Sequence, residues 1–139
     1  MKAISFLKEY QKDISLLIMR VCFGLAFSVH GYGKVFGERM DGFAEGVSEM
    51  GFPLPVVFAW SAALSELAGG ILLALGLFTR PAAFFALSTM AVAFFIRHGA
   101  DPFKVKELAY CYMIFSIAIL SSGAGRLGLD EILRAKNNK

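Results

Sequence analysis

Leu54 to Phe78 reads LPVVFAWSAALSELAGGILLALGLF, twenty-five residues in which Glu66 is the only charge. At ~1.5 Å of rise per residue a helix of this length covers ~37 Å, more than the ~30 Å hydrocarbon core of a bilayer. The stretch opens on Pro53-Leu54-Pro55 and closes before Thr79-Arg80-Pro81, which reads as a tight helix-to-helix junction. It is a transmembrane helix by length and composition, and the rest of the chain repeats its pattern. Residues 14–35 carry Arg20 as the one charge before the segment HGYGK (His30 to Lys34), residues 81–98 are uncharged as far as Ile96, and residues 107–124 are uncharged after Glu107 and run into the helix-breaking SSGAG.

The totals agree with that reading. Hydrophobic residues make up 57% and charged residues 18% of 139, against about 45–50% and 25% in soluble domains, and the mean hydropathy is +0.62. A chain of this size folds as one unit, so a single domain, 1–139, is expected. Backbone in lipid must satisfy its own hydrogen bonds, and the short connections make neighbouring spans antiparallel. The expected fold is therefore an all-α membrane protein, an antiparallel four-helix transmembrane bundle. Between the first two spans, Gly37 to Gly51 places Phe43, Val47 and Met50 at spacings of four and three, the pattern of a short interfacial amphipathic helix.

Orientation follows from the basic residues. Lys2, Lys8, Lys12, Arg80, Arg126, Arg134, Lys136 and Lys139 fall on the side that holds both termini, and Lys34, Arg39, Arg97, Lys104 and Lys106 on the other. The positive-inside bias puts both termini in the cytoplasm, and the segment after Arg134 reads as a frayed basic end. A net charge of +3 spread along the chain, with no basic stripe interleaved with aromatics, excludes a nucleic-acid partner. Cys22 and Cys111 lie in separate apolar segments and form no CxxC pair, so they read as small buried hydrophobes and no metal site is expected.

Chemistry is expected where ionisable groups enter the apolar spans, because each costs roughly 2.5–3.5 kcal/mol at a helix centre unless it finds a partner or a polar cavity. Counted from the cytoplasmic ends at ~1.5 Å per residue, Glu66 lies ~18 Å up its helix, and His30 and Arg97 lie ~24 Å up theirs. His30 and Lys34 share a helix face, His98 follows Arg97, and Glu107 opens the fourth span at the same boundary. Together His30, Lys34, Glu66, Arg97, His98 and Glu107 form a candidate polar pocket, a site where protons move or a polar head group binds. A structural ion pair, with Lys34 and Arg97 snorkelling to the interface, is the competing reading. Arg20, ~9 Å in, is expected to snorkel toward the cytoplasmic head groups. Gly24, Gly31, Gly69 and Gly70 mark faces for close helix packing. Phe84, Phe85, Phe94 and Phe95 are either an apolar cleft or lipid-facing.

The order HGYGK (His30 to Lys34), GFPLP (Gly51 to Pro55), SELAGGILLALGLFTR (Ser65 to Arg80), Glu107 and GAGRLGLDEIL (Gly123 to Leu133) resembles the DoxX family. The resemblance implies a four-helix bacterial inner (plasma) membrane protein, grouped with the DoxD-like subunits of a thiosulfate:quinone oxidoreductase and with relatives in membrane-associated thiol and oxidative-stress complexes. His30, Lys34, Glu66, Gly69, Gly70 and Glu107 match its pattern, and His98 is compatible with it. No haem, flavin or nucleotide fingerprint is present. Three functions stay open: a quinone-interacting component of an oxidoreductase system, with quinone as the ligand; a non-enzymatic scaffold for a soluble oxidoreductase partner; and a small-molecule carrier that works as a homo-oligomer.

Overall fold

The structure, a computed structural model, describes residues 2–137, with side chains from residue 10 onward. The elements are α1 (Lys2–Val35), α2 (Met40–Glu49), α3 (Pro55–Leu75), α4 (Thr79–Val92), which runs on into a π-turn at Ala93–Arg97, α5 (Phe103–Ser122) and α6 (Leu129–Asn137). The described residues are all-helical, with no strand. Three segments are long and apolar enough to cross a membrane: Tyr10–Val35, Pro55–Leu75 and Thr79–Arg97. They coincide with the first three expected spans. The fourth expected span falls on α5, whose first turns carry Lys104, Lys106 and Glu107.

α1 packs on α3, α3 on α4 and α4 on α5, and α5 returns to α1; α2 packs against α3. The core between them holds Phe23, Phe27, Leu73, Ala83, Ala86, Tyr112 and Ile119. Phe23 stacks on Phe27 and takes the edge of Tyr112, each at 5.3 Å between ring centres. The outward faces carry large apolar side chains such as Val29, Ile71 and Phe84, as lipid contact demands. Cys22 and Cys111 also lie on outward faces. The expectation that they are buried fails because small side chains on a lipid-facing stripe carry the same apolar signature as those in the core.

The α1–α3 seam is backbone against backbone. A Cβ on Gly31 would lie 2.7 Å from Leu67 Cα, one on Gly24 2.6 Å from Ala74 N, and one on Gly70 2.6 Å from Gly24 O. Ser28 stitches the seam, its hydroxyl donating to Gly24 O at 2.8 Å and Leu67 O at 3.2 Å. Gly69 is different: a Cβ there would meet Ala82 O at 3.9 Å, an ordinary contact.

Arg20 does not snorkel. It is fully buried, and its guanidinium donates to Leu73 O at 3.1 Å, Ala74 O at 3.3 Å and Leu127 O at 3.4 Å. α3 ends at Gly76, with φ +69, and its last carbonyls lack helical partners and carry the negative end of the helix dipole. A cation one helix away is drawn to them rather than to water. Gly76 makes room, since a Cβ there would sit 2.7 Å from Arg20 Cζ.

α6 stays helical past Arg134 as far as Asn137, where a frayed end was expected, with residues 138–139 outside the described residues; Asp130 in its first turn explains what fixes the helix. Its carboxylate accepts from Phe78 N–H at 2.8 Å and Thr79 N–H at 2.9 Å, capping α4, which has no side-chain cap of its own. Asp130 N–H in turn donates to Gly76 O at 2.9 Å. Burial alone would raise the Asp130 pKa, but the Thr79 and Phe78 N–H groups and the Arg20 charge outweigh it and hold the carboxyl below its ordinary value. A depressed folded pKa contributes stability that is complete above the unfolded value, near ~3.9, and is lost as pH falls through the folded one. Asp130→Ala is expected to cost about 1 kcal/mol at pH 7. The difference between wild type and variant in unfolding midpoint should shrink only below about pH 4; an equal difference at every pH would remove the carboxylate from the cap.

Candidate functional site

Two cavities meet at Glu66. The larger, about 560 Å³, lies between α2, α3 and α4 and is walled by Phe43, Val47, Met50, Phe52, Phe58 and Phe85. The smaller, about 170 Å³, lies between α1, α4 and α5 and is lined by Phe27, His30, Met90, Val105, Leu108 and Tyr112. Lys34, Glu66, Met90, Ala93 and His98 border both.

Glu66 is 1% exposed. Lys34 donates to Oε1, while Oε2 is buried without a hydrogen-bond partner. An ion pair held in apolar surroundings needs its remaining lone pairs satisfied to offset desolvation, so the orphaned carboxylate oxygen is an unmet demand at this wall. Lys34 also rests over the Phe43 ring at 4.5 Å, which ties α2 to the pair. His30 meets the edge of Tyr112, with ring centres 5.9 Å apart.

The π-turn sets the upper wall. His98 N–H bonds to Ala93 O at 2.9 Å, five residues back, so Ala93 and His98 both reach the cavities. Such turns recur at functional sites. His98 Nδ1 lies 2.8 Å from Asp101 Oδ2. Arg97 borders the larger cavity but does not meet Glu66; it donates to Glu49 of α2 at 3.0 Å, an exposed pair. Glu107 is exposed and borders neither cavity. Rotation about the α5 axis explains this: the inward positions are Leu108, Ala109 and Tyr112, and Glu107 is turned ~100° from Leu108. Of the four phenylalanines singled out in the third span, Phe85 alone lines a cavity, and Phe84 and Phe95 face outward. Tyr112 and the aromatic residues of α2 and its flanks, Phe43 and Phe52, were not singled out as site residues. The sole hint was the face formed by Phe43, Val47 and Met50, which is the cavity roof.

The DoxX family model matches residues 15–99, the segment that carries His30, Lys34, Glu66 and His98. The chain belongs to the DoxX family. Among its relatives, an uncharacterised protein of Haemophilus influenzae is 36% identical over 88% of this chain and 93% of its own length. CatD of Bacillus subtilis, whose name carries a provisional oxidoreductase assignment, is 32% identical over 91% of this chain and 92% of its own. The inner membrane protein YphA of Escherichia coli is 34% identical over 86% and 91%. No solved structure matches the chain. As a DoxX-family chain with three apolar helices of spanning length, it is a membrane protein in contact with the lipid bilayer.

Proposed function

We propose that this DoxX protein holds a quinone-type ring in the larger cavity and handles the protons of that ring through Glu66 and His30, as a component of a membrane-associated oxidoreductase system. The observation that carries this is the buried Glu66 carboxylate with one free oxygen at the edge of an aromatic-walled cavity of about 560 Å³. That volume lies in the range of ~300–1,000 Å³ usual for small-molecule sites, where apolar walls and a few converging polar groups are the rule. The smaller cavity has room for a few waters and borders Glu66, His30 and His98, whose imidazole nitrogens and waters give protons a route away from the carboxylate. CatD's name lends support to the redox reading.

The setting for this site is a single four-span unit in the inner membrane, with α5 as the fourth crossing, α2 at the interface and both termini cytoplasmic. The packing of α5 on α4 and α1, the basic-residue asymmetry and the inner-membrane name of YphA support it. Among the residues counted for orientation, Lys139 and the side chains of Lys2 and Lys8 lie outside the described residues.

Native mass spectrometry of protein gently extracted from its own membrane tests the proposal. Wild type is expected to carry a quinone, and Glu66→Gln, which breaks the ion pair that holds the Lys34 ammonium donor at the cavity edge, to lose it by about tenfold, the scale of one hydrogen bond from a charged group. Ala62→Phe, which fills the larger cavity without touching the ion pair, should lose it too. Wild-type protein that carries only phospholipid, or quinone retained equally by both variants, rejects the assignment.

A further inference from the structure

Resting on the quinone-type reading, we infer that the ligand carries a hydrocarbon tail, and that the tail leaves the larger cavity sideways into the bilayer through a gap between α3 and α4. Each helix gives the cavity one face, Phe58, Ser61 and Ser65 on α3 and Phe85, Ser88 and Val92 on α4, at the spacings of three and four that keep residues on one side of a helix. Burial grades across these faces. Val47, Glu66 and Met90 form a buried back wall, whereas Phe58 is 43% and Phe85 59% exposed, and Ser61 and Ser88 are exposed beside them. The cavity therefore ends in an open edge, and that edge faces lipid. Its outward neighbours, Val57 and Leu64 on α3 and Phe84 on α4, are apolar side chains exposed on two segments of spanning length. The Ser61 and Ser88 hydroxyls donate to Val57 O at 2.8 Å and Phe84 O at 2.9 Å, so both are satisfied within their own helices, as hydroxyls beside hydrocarbon must be. Toward water the cavity is roofed by α2, which Arg97 holds through Glu49 at 3.0 Å and Lys34 through the Phe43 ring. A ligand that is polar all round would set polar groups against acyl chains at the open edge, at a desolvation cost. A tailed ring keeps its tail in hydrocarbon and its ring under α2. The substrate class is thus a membrane-dissolved ring with an isoprenoid-type tail.

The test uses a menaquinone analogue with a diazirine on its tail. It is added to full-length protein in lipid nanodiscs and irradiated with and without an excess of unlabelled menaquinone of the same tail length. Adducts that the excess suppresses report a site; those it leaves report diffusion in the lipid. Suppressed adducts are expected on Phe58, Ser61, Phe85 or Ser88. Ser88→Trp, which fills the open edge from an exposed position, should lose them while still binding menadione, the same ring without the tail, by partition against empty nanodiscs. Ser121→Trp on α5 is the control. Its serine is also exposed and also donates to the carbonyl four residues back, at 2.8 Å, but it borders neither cavity, so the adducts should persist. Suppressed adducts confined to α1, α5 or the outer face of α2 overturn the inference and leave quinone-type binding standing, as does Ser88→Trp with adducts at the wild-type level. The absence of any suppressed adduct in wild type overturns both.

Discussion

Gly31→Ala is expected to destabilise the detergent-solubilised protein by about 2–3 kcal/mol, the cost of forcing extra volume into a closed interface. The added methyl would fall on the backbone of Leu67 and within 2.8 Å of Glu66 C, and backbone cannot rotate aside as a side chain can. α1 must therefore withdraw from α3. The effect should not stop at stability, since Lys34 lies one turn beyond Gly31 and its bond to Glu66 depends on the same separation. Gly69→Ala is the matched control on α3: its methyl meets Ala82 O at 3.9 Å, and alanine is favoured over glycine in a helix by ~1 kcal/mol. That variant should be neutral or slightly stabilised. Equal unfolding midpoints for the two variants would mean that the α1–α3 seam is looser than the glycine contacts require.

Arg20→Met should cost about 3–5 kcal/mol, the range seen when one partner of a buried ionic cluster is removed. Methionine keeps much of the volume, so the loss is electrostatic. The carbonyls of Ala74 and Leu127 lose the Arg20 donor, Leu73 keeps only its bond from Gly76 N–H, and Asp130 loses the positive charge that helps to keep it ionised. Because Arg20 and Asp130 share the α3–α4 turn, their substitutions should not add. The double variant Arg20→Met, Asp130→Ala is expected to be at least 0.5 kcal/mol less destabilised than the sum of the singles, as for residues in one network. Additive losses would make Arg20 and Asp130 independent supports.

The three long apolar helices and the α2 face were legible because both are periodic or cumulative signals: a run of apolar residues needs no knowledge of its neighbours. Glu66 and Lys34 were legible for the related reason that a charge in such a run demands an explanation. Which charge meets which was not. Depth along a helix can be counted, but rotation about its axis is set by packing, so Arg97 was placed near Glu66 by depth and is turned instead to Glu49. Glu107 was misplaced in the same way. Arg20 was assigned to the head groups because snorkelling depends on what a neighbouring helix offers, here three carbonyls contributed by residues more than fifty positions away. Tyr112 carries no signal at all, since an aromatic residue in an apolar helix packs far more often than it lines a site.

The π-turn makes the length of α4 matter as much as its residues. Between Ala93 and His98 the chain spends one residue more on a turn than an α-helix would, and a residue is worth ~100° of rotation. Removing Phe94, Phe95 or Ile96 would take no side chain from the cavity wall. It would nevertheless swing His98 away from Glu66, carry Arg97 off Glu49, and bring α5 to the bundle on the wrong bearing. Insertions and deletions in the connection at Gly37 and Glu38 merely lengthen or shorten a link. At Ala93–Arg97 they would rewrite the site, so here the number of residues is itself part of the functional information.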